Sequence, residues 1–595
     1  MYTNYIITSI ILYIFAYAFY LITSKGPGNK AIFLQMRRYI PCPLLAILPF
    51  ALVQQSVYSP IFIILLSIAL LWTTTYPTLY YLSNHKVSSD FEFHFESVFG
   101  YYFLGWISSL LIISHNVPIL AFPVAAIVTI IEIMVLLVPI AQIIYYFLYK
   151  SCINENGMLM IQETNYNEII EFFKSMPITL NIFNIATVVL CSYYFFLHNY
   201  LFLLTPLTIN WYTNAILLVI FIFLTTYLWK KKHGVFIRTA IAELYYDIKE
   251  YRETNKSYAK DRNIRLEQLQ IKRIGKRFDK PSTIVLVIGE SASRDYMKAF
   301  NKDYKYNTTP WLSKVKDKHN FILFPNAYST CAATVWALSH ALTEFNQYDN
   351  GAFYKSCSIV DIAQKLGYKV HWYSNQGHLG CADTPVTLIA ETSNVAKWTK
   401  QELNKIQYDE TLLDYLEEVD STRNNLVVIH LKGSHFNFLN RFPESFTKFG
   451  TPGKYDLEVN YADSIAYTDY VLQQIYEYAK DKLNLQSMIY FSDHATIPDK
   501  RRSPNFQGFG AVRIPFFAYF SDEYIENNSE VYNALKANKD KYWTNDLLYE
   551  FMCSIFNISS NRFKEENSIA SKKYKFKKED LRTNLGATPI TDDNE

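Results

Sequence analysis

The chain is 595 residues long, more than one hydrophobic core organises, so it divides into several units. A formal net charge of +3 leaves no basic footprint for nucleic acid, and seven cysteines without a CxxC pair exclude a cysteine-built zinc module. Half of the residues are hydrophobic, and they crowd into the first 230.

The N-terminal part carries apolar runs such as "NYIITSIILYIFAYAFYLIT", "SPIFIILLSIALLW", "AFPVAAIVTIIEIMVLLVPIAQIIYYFLY" and "NAILLVIFIFLTTYLW", several of them long enough to cross a bilayer as helices. Spans are expected near 4–23, 43–82 (one or two), 98–115, 117–149, 182–205 and 212–230, which makes five or six in a transmembrane domain of residues 1–230. The first run has neither a basic start nor a small-residue cleavage site and reads as a retained span. Lys25, Lys30, Arg37 and Arg38 look cytoplasmic by the Lys/Arg rule. "WKKKHGVFIR" after the last span looks cytoplasmic too, which taken literally puts the C-terminal half inside.

Residues 231–280 are charged, helical in composition and interleaved with aromatics. They suit either a helix lying along lipid headgroups or a solvated linker. Over 281–557 short β-rich runs, "STIVLVIG", "NFILFPN", "YKVHWYS", "NLVVIHL", "SMIYFS" and "IPFFAYF", alternate with helical stretches. That alternation predicts an α/β domain whose mainly parallel sheet is covered on both faces. Ligands of such sheets gather where strands end. Residues 558–595 read as a polar tail, loosely ordered at its end. Four cysteines lie in the C-terminal half, and Cys357 with Cys381 is the pairing expected if the compartment is oxidising.

Three strand ends carry chemistry. Glu290 closes "TIVLVIGE", where the plain alternative is a carboxylate favoured by a helix N-terminus. Asp493 and His494 close "MIYFSDH". Two carboxylates and an imidazole are a donor set that zinc accepts with a fourth position open. Thr334 opens the helical run "TVWALSHALT" in "AYSTCAATVWALSHALT", and spacing alone favours an N-cap there. The other reading makes it a nucleophile whose hydroxyl a metal activates at an anion-favouring helix start. His435 follows "LVVIHL" and suits either a substrate phosphate or a leaving oxygen, or else a surface loop.

Together "VLVIGESASRDY", the "CAAT" turn, "HLKGSHFNF…RFP", "NYADSIAYTD" and "YFSDH" resemble, in order and approximate spacing, the membrane-bound phosphoethanolamine transferases that modify lipid A or lipopolysaccharide core. The resemblance covers essentially the whole chain. It implies an N-terminal all-α transmembrane bundle, usually of five helices, followed by an alkaline-phosphatase/sulfatase-like domain. It also implies Zn2+ held by Glu290, Asp493, His494 and Thr334, with Thr334 as the nucleophile and His435 at the substrate phosphate or a second metal. The donor would be phosphatidylethanolamine, the acceptor a surface glycolipid, and the location a bacterial inner membrane with the catalytic domain in the periplasm.

The sequence departs from that family after "SDH". Members commonly continue with glycine and later show another histidine, whereas here the chain reads "DHATIPDKRRSPNFQGFGA". Lys500, Arg501 and Arg502, or His378 in "SNQGHLG", are the substitutes the sequence offers, and Cys331 lacks the nearby partner seen in many relatives. Two rivals remain. A lipoteichoic-acid-synthase-like glycerophosphate transferase tends to carry a different nucleophile turn from "CAATVW", and a non-catalytic scaffold with a decayed domain has no need of Glu290, Thr334, Asp493 and His494 together.

Overall fold

The computed structural model describes the chain except for residues 1, 24–40, 85–93, 116, 154–156, 159–160, 163–169, 171–177, 232, 256, 277, 350, 377–383, 401–405, 501–505 and 595. It contains two compact units, Met1–Lys249 and Glu250–Glu595, and the division falls inside the charged segment 231–280.

The first unit is helical: α1 (Tyr2–Thr23), α2 (Pro41–Leu52), α3 (Pro60–Asn84), α4 (His94–Ser114), α5 (Ala121–Tyr149), α6 (Ile178–Leu204), α7 (Trp211–Trp229) and α8 (Ala240–Asn255). Among the described residues, six helices are long and apolar enough to cross a membrane. The stretch expected to hold one or two spans over 43–82 holds one, α3. The other piece, α2, has 12 residues, a length of about 18 Å against the roughly 30 Å of a hydrocarbon core.

Small residues let the helices of this unit approach closely. A Cβ on Gly100 of α4 would lie 2.5 Å from the carbonyl oxygen of Ala69 in α3, and one on Gly105 would lie 2.5 Å from that of Leu45 in α2. Polar ties cross between helices: Trp106 Nε1 donates to Thr225 Oγ1 at 2.7 Å, and Asn199 Nδ2 donates to the buried Glu132 at 2.7 Å. The backbone N–H of Ala240, at the start of α8, donates to Glu96 Oε1 at 2.7 Å, which fixes where that amphipathic helix leaves the bundle. Tyr245 and Tyr246 on α8 are exposed.

The second unit is built on a seven-stranded sheet. Its strands are β1 (Thr283–Gly289), β2 (Phe321–Leu323), β3 (Lys369–Ser374), β4 (Val395–Trp398), β5 (Asn425–His430), β6 (Leu485–Ser492) and β7 (Phe516–Phe520), in the spatial order β2-β7-β6-β1-β5-β3-β4. Only β7 runs antiparallel to its neighbours. The apolar runs have no polar face because both faces are covered. Leu286, Val428 and Phe491 point into one core, and Val285, Val427 and Tyr490 into the other, each pair of neighbours alternating across the pleat. The second core packs under α10 (Leu457–Lys482), one of the unit's helices; α9 (Thr334–Ala341) precedes it in the chain.

Residues 558–595 are not the loosely ordered tail their polarity suggests. Ile558–Ser560 pairs antiparallel with Ile271–Arg273, Ile569, Leu581 and Ile590 are fully buried, and Asp593 pairs with Arg513. Single apolar residues spaced along a polar segment bury one at a time, and composition does not reveal them. Cys357 is buried; its expected partner, Cys381, lies outside the described residues.

Candidate active site

Strands β1 and β6 are parallel neighbours that end together, Gly289 opposite Ser492. The next residues, Glu290 and Asp493, therefore emerge side by side, with His494 behind. All three are buried, and their ligand atoms lie within 4.8 Å of one another. His494 Nε2 is 3.3 Å from Glu290 Oε1 and 3.4 Å from Asp493 Oδ2.

The backbone around this trio is held from several sides. Ser291 adopts a left-handed conformation (φ +58°), so the chain turns sharply after Glu290. Its N–H donates to Asp493 Oδ1 at 3.0 Å. Tyr461 of α10 clamps the same turn, its hydroxyl accepting from Ser293 N–H at 2.9 Å and donating to the Ser291 carbonyl at 2.8 Å. His494 Nδ1 pairs with the Ala495 carbonyl at 2.8 Å, so Nδ1 carries the hydrogen and the lone pair of Nε2 faces Glu290 and Asp493.

Thr334 is not a cap. The residue in the capping position is Ala333, and Thr334 is the first residue of α9. Its Oγ1 donates to Glu290 Oε2 at 3.1 Å and lies 3.4 Å from His494 Nε2. The hydroxyl thus looks into the cluster rather than back along its own helix, which is the arrangement that spacing alone did not favour.

The electrostatics suit a cation. Burial, and then the Glu290 carboxylate beside it, push the Asp493 carboxyl upward. Two carboxylates and an imidazole packed together out of water are a costly arrangement for the protein alone and a fitting one for a divalent ion.

His435 sits half-buried in the loop after β5 and is not among the three clustered donors. Its loop is nonetheless fixed against Glu290. Gly433 has φ +49°, Ser434 N–H donates to the Glu290 carbonyl at 2.9 Å, and the buried Asp409 accepts from Lys432 N–H and Gly433 N–H, both at 2.8 Å. Lys500 is exposed. His378, Arg501 and Arg502 lie outside the described residues.

Two further residues at this edge escaped the sequence reading. Gln376 Nε2 donates to the Leu431 carbonyl at 2.7 Å and lies 3.3 Å from Glu290 Oε2; an amide is not a titratable group and attracts no attention in a search for ligands. His430, the last residue of β5, is buried, and its Nε2 has no hydrogen-bond partner among the described residues. Burial pushes its pKa down to about 4, against the pull of Glu290. It stands inside an apolar strand run, where nothing singles it out.

Residues 282–552 match the family model described as Sulfatase. These residues form a Sulfatase-family domain. The phosphoethanolamine transferase OpgE of Escherichia coli K12 is 29% identical over 263 residues, covering 41% of this chain and 46% of that protein. The phosphoethanolamine transferase EptA of Helicobacter pylori is 27% identical over 434 residues, covering 67% of this chain and 78% of its own length. The chain spans about half the length of OpgE and of the E. coli EptC. The solved integral membrane lipooligosaccharide phosphoethanolamine transferase A of Neisseria meningitidis has the same fold, with a TM-score of 0.54 at 17% identity over 86% of this chain and 98% of that one. Long apolar helices followed along the chain by an α/β domain are the fold the two have in common.

Proposed function

We propose that this protein is a zinc-dependent membrane transferase that moves phosphoethanolamine from phosphatidylethanolamine to a surface glycolipid, lipid A or lipopolysaccharide core, through a covalent phosphothreonine at Thr334. The observation that carries the reading is the Thr334 hydroxyl, 3.1 Å from Glu290 and 3.4 Å from His494 and not used as a cap. The names of the relatives supply the transferred group.

In the first step Thr334 Oγ attacks the donor phosphorus. The Oγ–P bond forms, the bond from phosphorus to the diacylglycerol oxygen breaks, and the Thr334 proton ends on that oxygen. In the second step an acceptor hydroxyl or phosphate attacks the same phosphorus, the Oγ–P bond breaks, and Thr334 recovers a proton from the acceptor. Splitting one displacement into two lets a single site serve both substrates. Glu290, Asp493 and His494 would hold the zinc, which when bound lowers the pKa of a hydroxyl at its open position. His435 is assigned to the substrate phosphate or the leaving oxygen, because Gly433 seats its loop on Glu290. His378, Arg501 and Arg502 keep the supporting role that the sequence offers them.

The span count bears on location. Among the described residues five candidate spans follow the first, so if these and no others cross, the end of the first span and the stretch after Trp229 lie on opposite sides of the membrane. Each basic stretch carries four Lys/Arg, so the charge rule does not choose between them; the topology that the family resemblance implies gives the cytoplasm to the first. The Sulfatase-family domain falls on the outer, periplasmic side of a bacterial inner membrane, where glycolipid acceptors are met.

Peptide mass spectrometry of the full-length protein incubated with phosphatidylethanolamine and Zn2+ tests the reading. A phosphoethanolamine adduct on Thr334, absent from Thr334→Ala, supports it. A glycerophosphate adduct formed from phosphatidylglycerol instead would move the chain to the rival transferase class. A folded, zinc-loaded protein that takes neither group would favour the scaffold.

A further inference from the structure

Asn545 is fully buried at the start of the short turn Asn545–Leu547, after the two-residue strand Trp543–Thr544. That strand pairs in parallel with Ala327–Tyr328, the segment that leads into the Thr334 turn. The side-chain amide of Asn545 reaches in two directions. Its Oδ1 accepts from Thr330 N–H at 2.8 Å, and its Nδ2 donates to the Asp493 carbonyl at 2.7 Å and lies 3.2 Å from Ser329 Oγ. Ser329 Oγ also donates to the Asp493 carbonyl, at 2.6 Å.

One amide thus bridges the turn that carries Thr334 and the turn that carries Asp493 and His494. Residues 331–333, between the bridge and Thr334, belong to no helix or strand, so the anchor at Ser329 and Thr330 decides where α9 begins. The same turn is held on its carbonyl side by Thr583 Oγ1, which donates to Ser329 O at 2.7 Å, and by Leu585 N–H, which donates to Thr330 O at 2.9 Å. Those two bonds tie the turn to the C-terminal segment. Among the described residues, Asn545 and Ser329 tie it to Asp493.

We infer that Asn545 is a positioning residue that sets the separation between the Thr334 hydroxyl and the Glu290–Asp493–His494 cluster, by joining Thr330 N–H to the Asp493 carbonyl through one rigid amide. The role needs a donor and an acceptor on one short planar group. Aspartate lacks the donor, and an aliphatic side chain leaves the buried Thr330 N–H unpaired. The inference rests on the proposed role of Thr334.

The test uses full-length protein in detergent with Co2+ as the probe, because its visible absorption reports on the ligands around it, together with transfer from phosphatidylethanolamine. Thr334→Ala gives the reference spectrum for a site without the hydroxyl. Asn545→Ala is expected to bind Co2+ within about threefold of wild type, since the three donors remain, yet to show a spectrum shifted toward that of Thr334→Ala. Its kcat is expected to fall roughly 10- to 100-fold with KM for the donor lipid nearly unchanged. A wild-type spectrum and kcat in Asn545→Ala, with Thr334→Ala clearly different, would overturn the positioning role and leave the Thr334 reading standing. A Thr334→Ala spectrum identical to wild type would overturn both. Should Asn545→Ala not fold, Ser329→Ala removes one hydroxyl of the same bridge and is expected to show the same shift to a smaller extent; an unchanged spectrum there would count against the proposal. Thr583→Val, which loosens the turn without touching its tie to Asp493, is expected to lower stability and keep the wild-type spectrum.

Discussion

Gly433 lies against Glu290 so closely that a Cβ at this position would be 2.8 Å from the Glu290 carbonyl oxygen and 2.9 Å from its amide nitrogen. The atoms in the way are backbone of the residue that carries a metal-type carboxylate, so they have nowhere to yield. The backbone of Gly433 is also left-handed. Gly433→Ala is therefore expected to cost about 1–3 kcal/mol in stability and to weaken Zn2+ binding as well. Thermal melts with and without added Zn2+ measure both effects. A variant that melts and binds like the wild type would show that the loop does not need this close approach.

The burial of Glu290 and Asp493 side by side is expected to make the stability of the domain depend on a bound divalent cation. Chelation is expected to lower the melting temperature and Zn2+ to restore it, since an ion at a thousandfold excess over its dissociation constant contributes about 4 kcal/mol. Asp493→Asn removes one of the opposed charges and one donor. Its melt should respond far less to either treatment, and an unchanged response would place the ion elsewhere.

Two buried histidines set an acid limit. Burial pushes the imidazoles of His340 in α9 and His371 in β3 from 6.5 down to about 4; Lys369 adds to the effect at His371. Between those values the unfolded chain takes up protons that the folded chain refuses. The stability they contribute is complete above pH 6.5 and is lost as the pH falls toward 4. His340→Gln, which keeps a donor for the Trp336 carbonyl, should flatten the fall in melting temperature over that window.

At the alkaline side Glu550 acts in the opposite sense. Burial raises its carboxyl from 4.5 to about 8, so the folded state holds a proton that the unfolded state has released. Stability from this group is present below pH 4.5 and declines as the pH rises through 8. Glu550→Gln is expected to raise the melting temperature at pH 8.5 and to do little at pH 5.

Deleting residues 578–595 would remove the fully buried Leu581 and Ile590 and leave Arg513 with Asp295 alone of its two carboxylates. The expected result is a melting temperature lower by several degrees, as for the loss of two buried aliphatic side chains. Limited proteolysis that trims this segment without destabilising the domain would contradict its packing.

Much of the catalytic unit was legible because its physics is local. Six of the seven sheet strands are apolar runs bounded by turn residues, and they stand where those runs predict. The strand that escaped, β4, is four half-buried residues including Lys397 at the sheet edge, where there is little apolar surface to read. Glu290, Asp493 and His494 were legible because strand ends in parallel sheets gather ligands. The orientation of the Thr334 hydroxyl was not, since the choice between capping α9 and facing Glu290 is made by the Ser329–Thr330 anchor and its partner Asn545, more than two hundred residues away in sequence. Asp409 likewise acts on the backbone of Lys432 and Gly433, brought near only by the fold.

The placement of the three donors has a consequence for the life of the chain. Ser291 and Asp493 are 202 positions apart and meet only because β1 and β6 are neighbours in the sheet. A ribosome that has delivered Glu290 has made one donor and one of the seven sheet strands, yet no chelator. Half-made or unfolded copies would therefore be poor competitors for scarce metal, and an ion held by this cluster would enter last, as a mark that the sheet has closed in register.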